Sequence, residues 1–295
     1  MEDSSYKNQY SIDPQHLLKN AYHRLIRDEK IHADFIQNGF VHLKRVIDEQ
    51  TISILRSFYL QHFNTSTGMY VTHHFVNDVE KNKSVSNFIF SNLKVFLDKF
   101  FINFRPLIGH FAAKANGGEG LFNFHQDWSI VDERQYGVAH CWIPLQDVNK
   151  VNGTLAVLPK THLLFSNYRS GTCPIRFTPL DRYEQEAVHL SASVGDMIVY
   201  HPALFHGSGK NFDKRPRIAV VAAIAHHASE NVYFHGEGVQ KVTMYELTEI
   251  DLFSRLNELS QGHKPLGRVI KSVEPCILQL NDSELEMRIK SFYQT

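Results

Sequence analysis

Between about Pro106 and His227 the chain is cut by turn signals into short alternating apolar runs, and this spacing constrains the fold more than any other feature. Leu107 to Lys114 reads as a strand, and Gly117-Gly118 with Gly120 marks the loop after it. Val138 to Leu145 alternates, with Val138, His140 and Trp142 on one face and Ala139, Cys141 and Ile143 on the other. The turn pair Asn152-Gly153 precedes a strand from Thr154 to Leu158, which Pro159 closes. Gly195-Asp196 leads into Met197 to His201, and Arg217 to Ala225 forms a last, long strand. A series of short strands like this predicts a barrel or a jelly roll.

The flanks read differently. Leu17, Leu18, Ala21, Tyr22 and Leu25 fall on one helical face within Pro14 to Asp28. Lys30 to Gln37 continues as helix until Asn38-Gly39 stops it. A short strand follows from Phe40 to Ile47, then helices over Glu49 to Phe63 and Val85 to Phe101. Beyond Glu230 the pattern is mixed, with helices expected at Thr248 to Leu259 and Asp282 to Phe292. Leu163 to His189 is long and weakly patterned, as functional or mobile loops are. No linker interrupts the chain. The expectation is one domain over residues 1–295, mainly β, with a core at about 105–228 and helices on either side.

Composition narrows the function. Lys and Arg number 31 and Asp and Glu number 31, so the formal net charge is zero. A protein held to nucleic acid mainly by phosphate contacts would carry a basic excess. No run of about 18 apolar residues is present, so no membrane span is expected. Met1 to Tyr10 is polar and lacks the apolar stretch of a secretory signal. Three scattered cysteines, Cys141, Cys173 and Cys276, make no disulfide framework. A cytoplasmic protein acting on a small-molecule substrate is the expected class.

Three places offer chemistry. In His125-Gln126-Asp127 an imidazole and a carboxylate two residues apart would share one face of a strand. A third ligand would complete a two-His, one-carboxylate face, which suits non-haem Fe(II) and leaves coordination positions open. Composition alone predicts about one His-x-Asp triplet by chance. The second one present, His32-Ala-Asp34, sits in a helical pattern where the two point apart, and it reads as surface polarity. Next, His206 follows the strand ending at His201, with small Gly207, Ser208 and Gly209 beside it. His201 is a rival ligand, although Pro202 suits a corner. Last, Arg217 opens an apolar strand, so its charge needs a partner such as a carboxylate or Asp213. Arg215 competes with it.

In order along the chain, these motifs resemble the phytanoyl-CoA dioxygenase family of Fe(II)- and 2-oxoglutarate-dependent oxygenases. The resemblance runs from about Ala33 to His227. It is carried by Phe35-Ile-Gln-Asn-Gly-Phe-Val41, His125-Gln-Asp127, Trp142-Ile-Pro-Leu-Gln-Asp147 and Asn152-Gly-Thr-Leu155. It continues through Val157-Leu-Pro-Lys-Thr-His162, Gly195-Asp196 and His206-Gly-Ser-Gly-Lys-Asn211 to Arg217. The resemblance implies a double-stranded β-helix with helices packed outside. It implies His125, Asp127 and His206 as iron ligands, with Arg217 and Ser208 on the far carboxylate of 2-oxoglutarate and Trp142 lining that pocket. It implies oxidation of a substrate by O₂, coupled to decarboxylation of 2-oxoglutarate to succinate. The carboxylate of Asp127 favours oxygenation over halogenation, since related halogenating enzymes carry a small residue there.

The family spans acyl-CoA esters, amino acids and specialised metabolites. Zero net charge offers no broad basic site for CoA, which favours a small or medium metabolite. Arg169, Arg176 and Arg182 on the long loop read as solvated charges, with pairing to a substrate anion as the alternative. A non-catalytic jelly roll that binds a metal or scaffolds a partner is the rival class. A zinc hydrolase lacks its His-Glu-x-x-His motif, and Gly207-Ser-Gly-Lys210 lacks the first glycine and the Ser or Thr of a phosphate loop.

Overall fold

Every residue of the strand Arg217–His226 is buried, so its alternation sorts two interiors rather than inside from outside. Ile218, Val220, Ala222 and Ile224 pack with helical residues such as Ile36, Leu55, Ile89 and Leu93. Ala219 and Val221 face the opposite way and pack with Trp142, Leu155 and Ile198. A sheet strand must therefore be covered on one side by helices and on the other by a second sheet.

The computed structural model describes residues 14–63, 69–71, 78–118, 120–164, 168–173, 186–237 and 241–273. The described elements begin with α1 (Pro14–Lys19), α2 (Glu29–Asn38), β1 (Phe40–Leu43), α3 (Glu49–His62), β2 (Met69–Val71) and α4 (Val79–Phe100). They continue with β3 (Phe104–Lys114), β4 (Phe122–His125), β5 (Val138–Pro144), β6 (Leu155–Val157), α5 (Thr161–Leu164), β7 (Val188–His189), β8 (Met197–Tyr200), β9 (His206–Ser208) and β10 (Arg217–His226). The last are β11 (Val232–Gly236), β12 (Val242–Glu246), α6 (Glu249–Ser254), α7 (Leu256–Ser260) and β13 (Val269–Val273).

The strands form two facing antiparallel sheets of a double-stranded β-helix. The larger has the order β1-β8-β5-β10-β3-β2 and the smaller β4-β9-β6-β7. Helices α2, α3 and α4 cover the outer face of the larger sheet with side chains such as Leu55, Ile89 and Leu93, none of them measurably exposed. Burying each of these contributes roughly 1.5–3 kcal/mol. No described helix is long and apolar enough to cross a membrane.

The flanks depart from the sequence reading in three places. The segment from Pro14 to Asp28 is not one helix. α1 ends at Lys19, the Asn20 side chain accepts from the Tyr22 amide, and a 3₁₀ turn over Ala21–His23 follows. Asp28 is instead the N-cap of α2, where it accepts from the Ile31 amide at 2.9 Å. α4 starts at Val79 rather than Val85, because Asp78 caps it through the Lys81 amide. Its first turns are polar, so apolar spacing does not reveal them. Lastly, the region after Glu230 holds a three-stranded sheet, β11-β12-β13, and the helix expected over Thr248 to Leu259 is two helices broken at Arg255. The helix expected at Asp282 to Phe292 lies outside the described residues.

That C-terminal unit is pinned by buried polar contacts. Asp251 has no exposure, and its carboxylate accepts from the Thr248 hydroxyl at 2.7 Å, Arg255 Nη1 at 2.7 Å and the Leu266 amide at 3.0 Å. Asn82 of α4 donates to the Phe253 carbonyl at 2.6 Å, and the Tyr233 hydroxyl donates to the Leu259 carbonyl at 2.9 Å. Replacing Asp251 by Ala removes a buried charge from the Arg255 pair and leaves donors unmet. A loss of about 3 kcal/mol of unfolding free energy is expected by denaturant titration. A loss under about 0.5 kcal/mol would show that these contacts do not hold the unit.

Candidate active site

β4 and β9 lie antiparallel in the smaller sheet, and His125 is the register partner of His206. Close pairing is possible because Gly207 has no Cβ. A methyl there would meet the Phe122 carbonyl oxygen at 2.8 Å and the Phe124 amide nitrogen at 3.1 Å. Asp127 arrives differently from the sequence expectation. β4 ends at His125, so Asp127 is not two residues further along the same strand. Gln126 turns inward to donate to the Ala203 carbonyl, and the Asp127 amide donates to the Pro202 carbonyl at 2.9 Å. The corner after β8 thus swings the carboxylate round to the two imidazoles. One ligand atom from each of His125, Asp127 and His206 lies within 4.8 Å of the others.

The protonation of the two histidines is set by their backbones. His125 Nδ1 faces the Asn123 carbonyl at 2.9 Å, and His206 Nδ1 faces the Leu204 carbonyl at 2.8 Å. A carbonyl only accepts, so each Nδ1 carries a proton and each Nε2 is the atom turned toward the shared point. Both Nε2 atoms stand 3.4 Å from the Asp127 carboxylate. Burial holds the His206 pKa down at about 4, against the pull of Asp127, so the ring is neutral at pH 7. For Asp127, burial pushes upward, but His206, His125 and His140 outweigh it and hold the carboxyl well below the usual range. Three side chains able to donate an electron pair thus converge on one point. That arrangement suits a divalent cation.

Two residues that sequence reasoning did not single out orient Asp127. His140 Nδ1 donates to Oδ2 at 3.0 Å and the Tyr200 hydroxyl donates to it at 3.4 Å. The signal was partly visible, since His140 shares its strand face with Trp142. Tyr200 carried none beyond its place in an apolar strand. The rival ligand His201 is turned away, with its Nδ1 accepting from the Ala203 amide at 3.0 Å. His32 is buried rather than at the surface, because it lies on the core side of α2 while Asp34 is exposed. Burial lowers its pKa to about 4.

Arg217 lies on the same cavity wall, 2% exposed. Its Nη1 donates to the Ala112 carbonyl at 3.2 Å, but its buried Nε has no hydrogen-bond partner among the described residues. Burial lowers its pKa to about 9, so it stays cationic at neutral pH. Its guanidinium carbon sits 5.5 Å from the centre of the Trp142 ring. Lys114, its register partner on β3, is committed elsewhere, donating to the carbonyls of Ser208 at 3.1 Å, Gly209 at 2.8 Å and Gly120. Burial, then the charge of Arg217, lowers the Lys114 pKa to about 6. Arg217 is therefore the cation with unmet donor capacity at this end of the cavity. The cavity holds about 600 Å³ and is lined by His125, Asp127, His206, Ser208, Trp142 and Arg217 among others.

Arg169 is not a solvated loop charge. It is 3% exposed, its Nη2 donates to both Glu133 oxygens at 2.6 and 2.7 Å, and its Nε donates to the Asp127 carbonyl at 2.7 Å. It braces the backbone that carries Asp127. Arg176 and Arg182 lie outside the described residues.

Residues 35–219 match the phytanoyl-CoA dioxygenase (PhyH) family, which is more than half of the chain. The chain belongs to this family. The bovine peroxisomal phytanoyl-CoA dioxygenase is 32% identical over 118 residues, 37% of this chain and 34% of that protein. A probable phytanoyl-CoA dioxygenase of Caenorhabditis elegans is 29% identical over 132 residues, 41% of each chain. The chain thus matches well under two thirds of the length of these PhyH relatives. Among solved structures, EctD from S. alaskensis with 2-oxoglutarate and 5-hydroxyectoine superposes with a TM-score of 0.50 at 15% identity, covering 75% of this chain and 84% of that one. This likeness supports the double-stranded β-helix.

The β4–β9 spacing makes one prediction. Gly207→Ala pushes the two strands apart and separates His125 from His206. Calorimetric titration with Co(II) is expected to show at least about tenfold weaker binding, with the far-UV circular dichroism unchanged. Unaltered Co(II) affinity would mean that this close approach does not set the ligand geometry.

Proposed function

We propose that the protein is an Fe(II)- and 2-oxoglutarate-dependent oxygenase acting on a small or medium-sized metabolite, with C–H hydroxylation as its reaction. One observation carries the reading: three converging electron-pair donors and an arginine with an unmet buried donor line a single cavity. The donor set fits iron, and the orphan Nε fits a carboxylate. Membership of the PhyH family supports the same assignment.

In this reading His125, Asp127 and His206 hold the iron. Their Nδ1–carbonyl bonds and the His140 and Tyr200 contacts to Asp127 keep the donors aimed before the metal arrives. Arg217 takes the far carboxylate of 2-oxoglutarate in a charge-assisted pair, with Ser208 beside it. Trp142 covers the guanidinium and keeps water from it. When bound, iron and 2-oxoglutarate would supply an oxidant made from O₂, with 2-oxoglutarate leaving as succinate and CO₂. The chain's part is to place a substrate C–H bond beside that centre. Cys141 and Cys173 are free and buried, which supports a reducing compartment such as the cytoplasm.

Anaerobic titration of the metal-free protein with Fe(II) and then 2-oxoglutarate tests the reading through a metal-to-ligand charge-transfer band in the visible. The wild type is expected to show the band. Asp127→Ala is expected to abolish it, and Arg217→Ala to weaken 2-oxoglutarate by about 2–5 kcal/mol, the usual loss when one partner of a buried charge pair is truncated. No band in the wild type would favour the non-catalytic jelly roll.

A further inference from the structure

The cavity has a second end, and its chemistry is opposite to the first. On β10 the inward series runs from Arg217 through Ala219 and Val221 to Ala223, about 20 Å at the usual rise per strand residue. Ala223 is the register partner of both His140 and Ile108, so this far end flanks Asp127. There the wall is formed by the C-terminal unit, with the exposed Asn257 and Ser260 at its outer edge. Leu252 of α6 and Leu256 of α7 line the cavity and pack with Ile108, Ala223 and Trp128. The wall is preorganised by the Asp251, Asn82 and Tyr233 contacts described above. None of Ala223, Leu252 and Leu256 lies within the matched residues 35–219.

Charge completes the argument. Among the described residues lining the cavity, the carboxylates and the lysine or arginine cations reduce to Asp127 and Arg217. Both are taken, one by the metal and one by 2-oxoglutarate. Arg169 already has a two-pronged partner in Glu133, and Arg255, next to Leu256, is held by Asp251 and Glu258. Among the described residues, an ionised substrate group resting against Leu252 and Leu256 would give up part of its water and find no counter-ion, which is unfavourable.

We propose that the substrate presents an uncharged, apolar group to the metal, and that Leu252 and Leu256 are the residues that select it. The proposal rests on the iron and 2-oxoglutarate reading and adds the substrate class to it. The protein provides its own reporter, since its two tryptophans, Trp128 and Trp142, both line the cavity.

The experiment uses protein loaded with Zn(II), a redox-inert stand-in for iron, and saturated with 2-oxoglutarate. Binding of 2-oxoglutarate is measured first by calorimetry. Hexan-1-ol, hexylammonium and hexanoate are then titrated while tryptophan fluorescence is recorded. Hexan-1-ol is expected to give a saturable change, with the two ions at least about tenfold weaker. Leu256 is only partly buried, so Leu256→Arg is tolerable and is expected to invert the order in favour of hexanoate. Ile250→Arg, on the exposed side of α6, is expected to keep the wild-type order. If 2-oxoglutarate fails to bind, the reading of the site is wrong and the proposal falls with it. If 2-oxoglutarate binds but the ions match hexan-1-ol, or hexan-1-ol gives no saturable change, the selectivity proposal alone is overturned. The wild-type series decides this even if Leu256→Arg does not fold.

Discussion

The site depends on one constraint: two imidazoles donate hydrogen bonds from Nδ1 to carbonyls two residues back in their own chain. Those local bonds, Nδ1 of His125 to Asn123 and of His206 to Leu204, turn both Nε2 atoms toward the Asp127 carboxylate. The cluster brings three polar side chains to one point. It is held because the β4–β9 pairing, the Pro202 carbonyl and the braces on Asp127 each satisfy a different part of it. In the proposed reading, a divalent cation at this point would meet three donors already aimed by their own hydrogen bonds.

The same logic operates at the other functional position. Arg217 is carried into the interior by a strand that is apolar on both faces, and its neighbours leave a donor unmet. Lys114, one strand away, shows what full satisfaction looks like: three carbonyls surround its amine. The contrast between the two buried basic side chains is that Lys114 is tied to its neighbours while Arg217 keeps a donor for a ligand in the proposed reading. β10 then runs along the cavity, with the buried Arg217 at one end and Ala223, beside Leu252 and Leu256, at the other.

Much of this was legible in the sequence. The faces of β5 were read correctly, with His140 and Trp142 inward and Cys141 and Ile143 against the helices. The three donors and Arg217 stood out through the order of several motifs, not through any single one. His-x-Asp occurs twice, and its copy at His32 is a buried helix face. What stayed hidden depended on long-range contacts. Asp127 reaches the site through a corner and not along a strand. Arg169 finds Glu133 across 36 residues. α4 begins in polar turns because Asn82 reaches the C-terminal unit. The sheet β11-β12-β13 lies in a stretch whose pattern is mixed between helix and strand.

The central claim is that one cavity seats a metal on His125, Asp127 and His206 and a dicarboxylate against Arg217. A crystal structure of the protein grown anaerobically with Fe(II) and 2-oxoglutarate tests it most directly. The account predicts metal density bonded to Nε2 of both histidines and to an Asp127 oxygen, with the far carboxylate on the Arg217 Nε. Metal density elsewhere, or a 2-oxoglutarate carboxylate that leaves Arg217 unpaired, would contradict it.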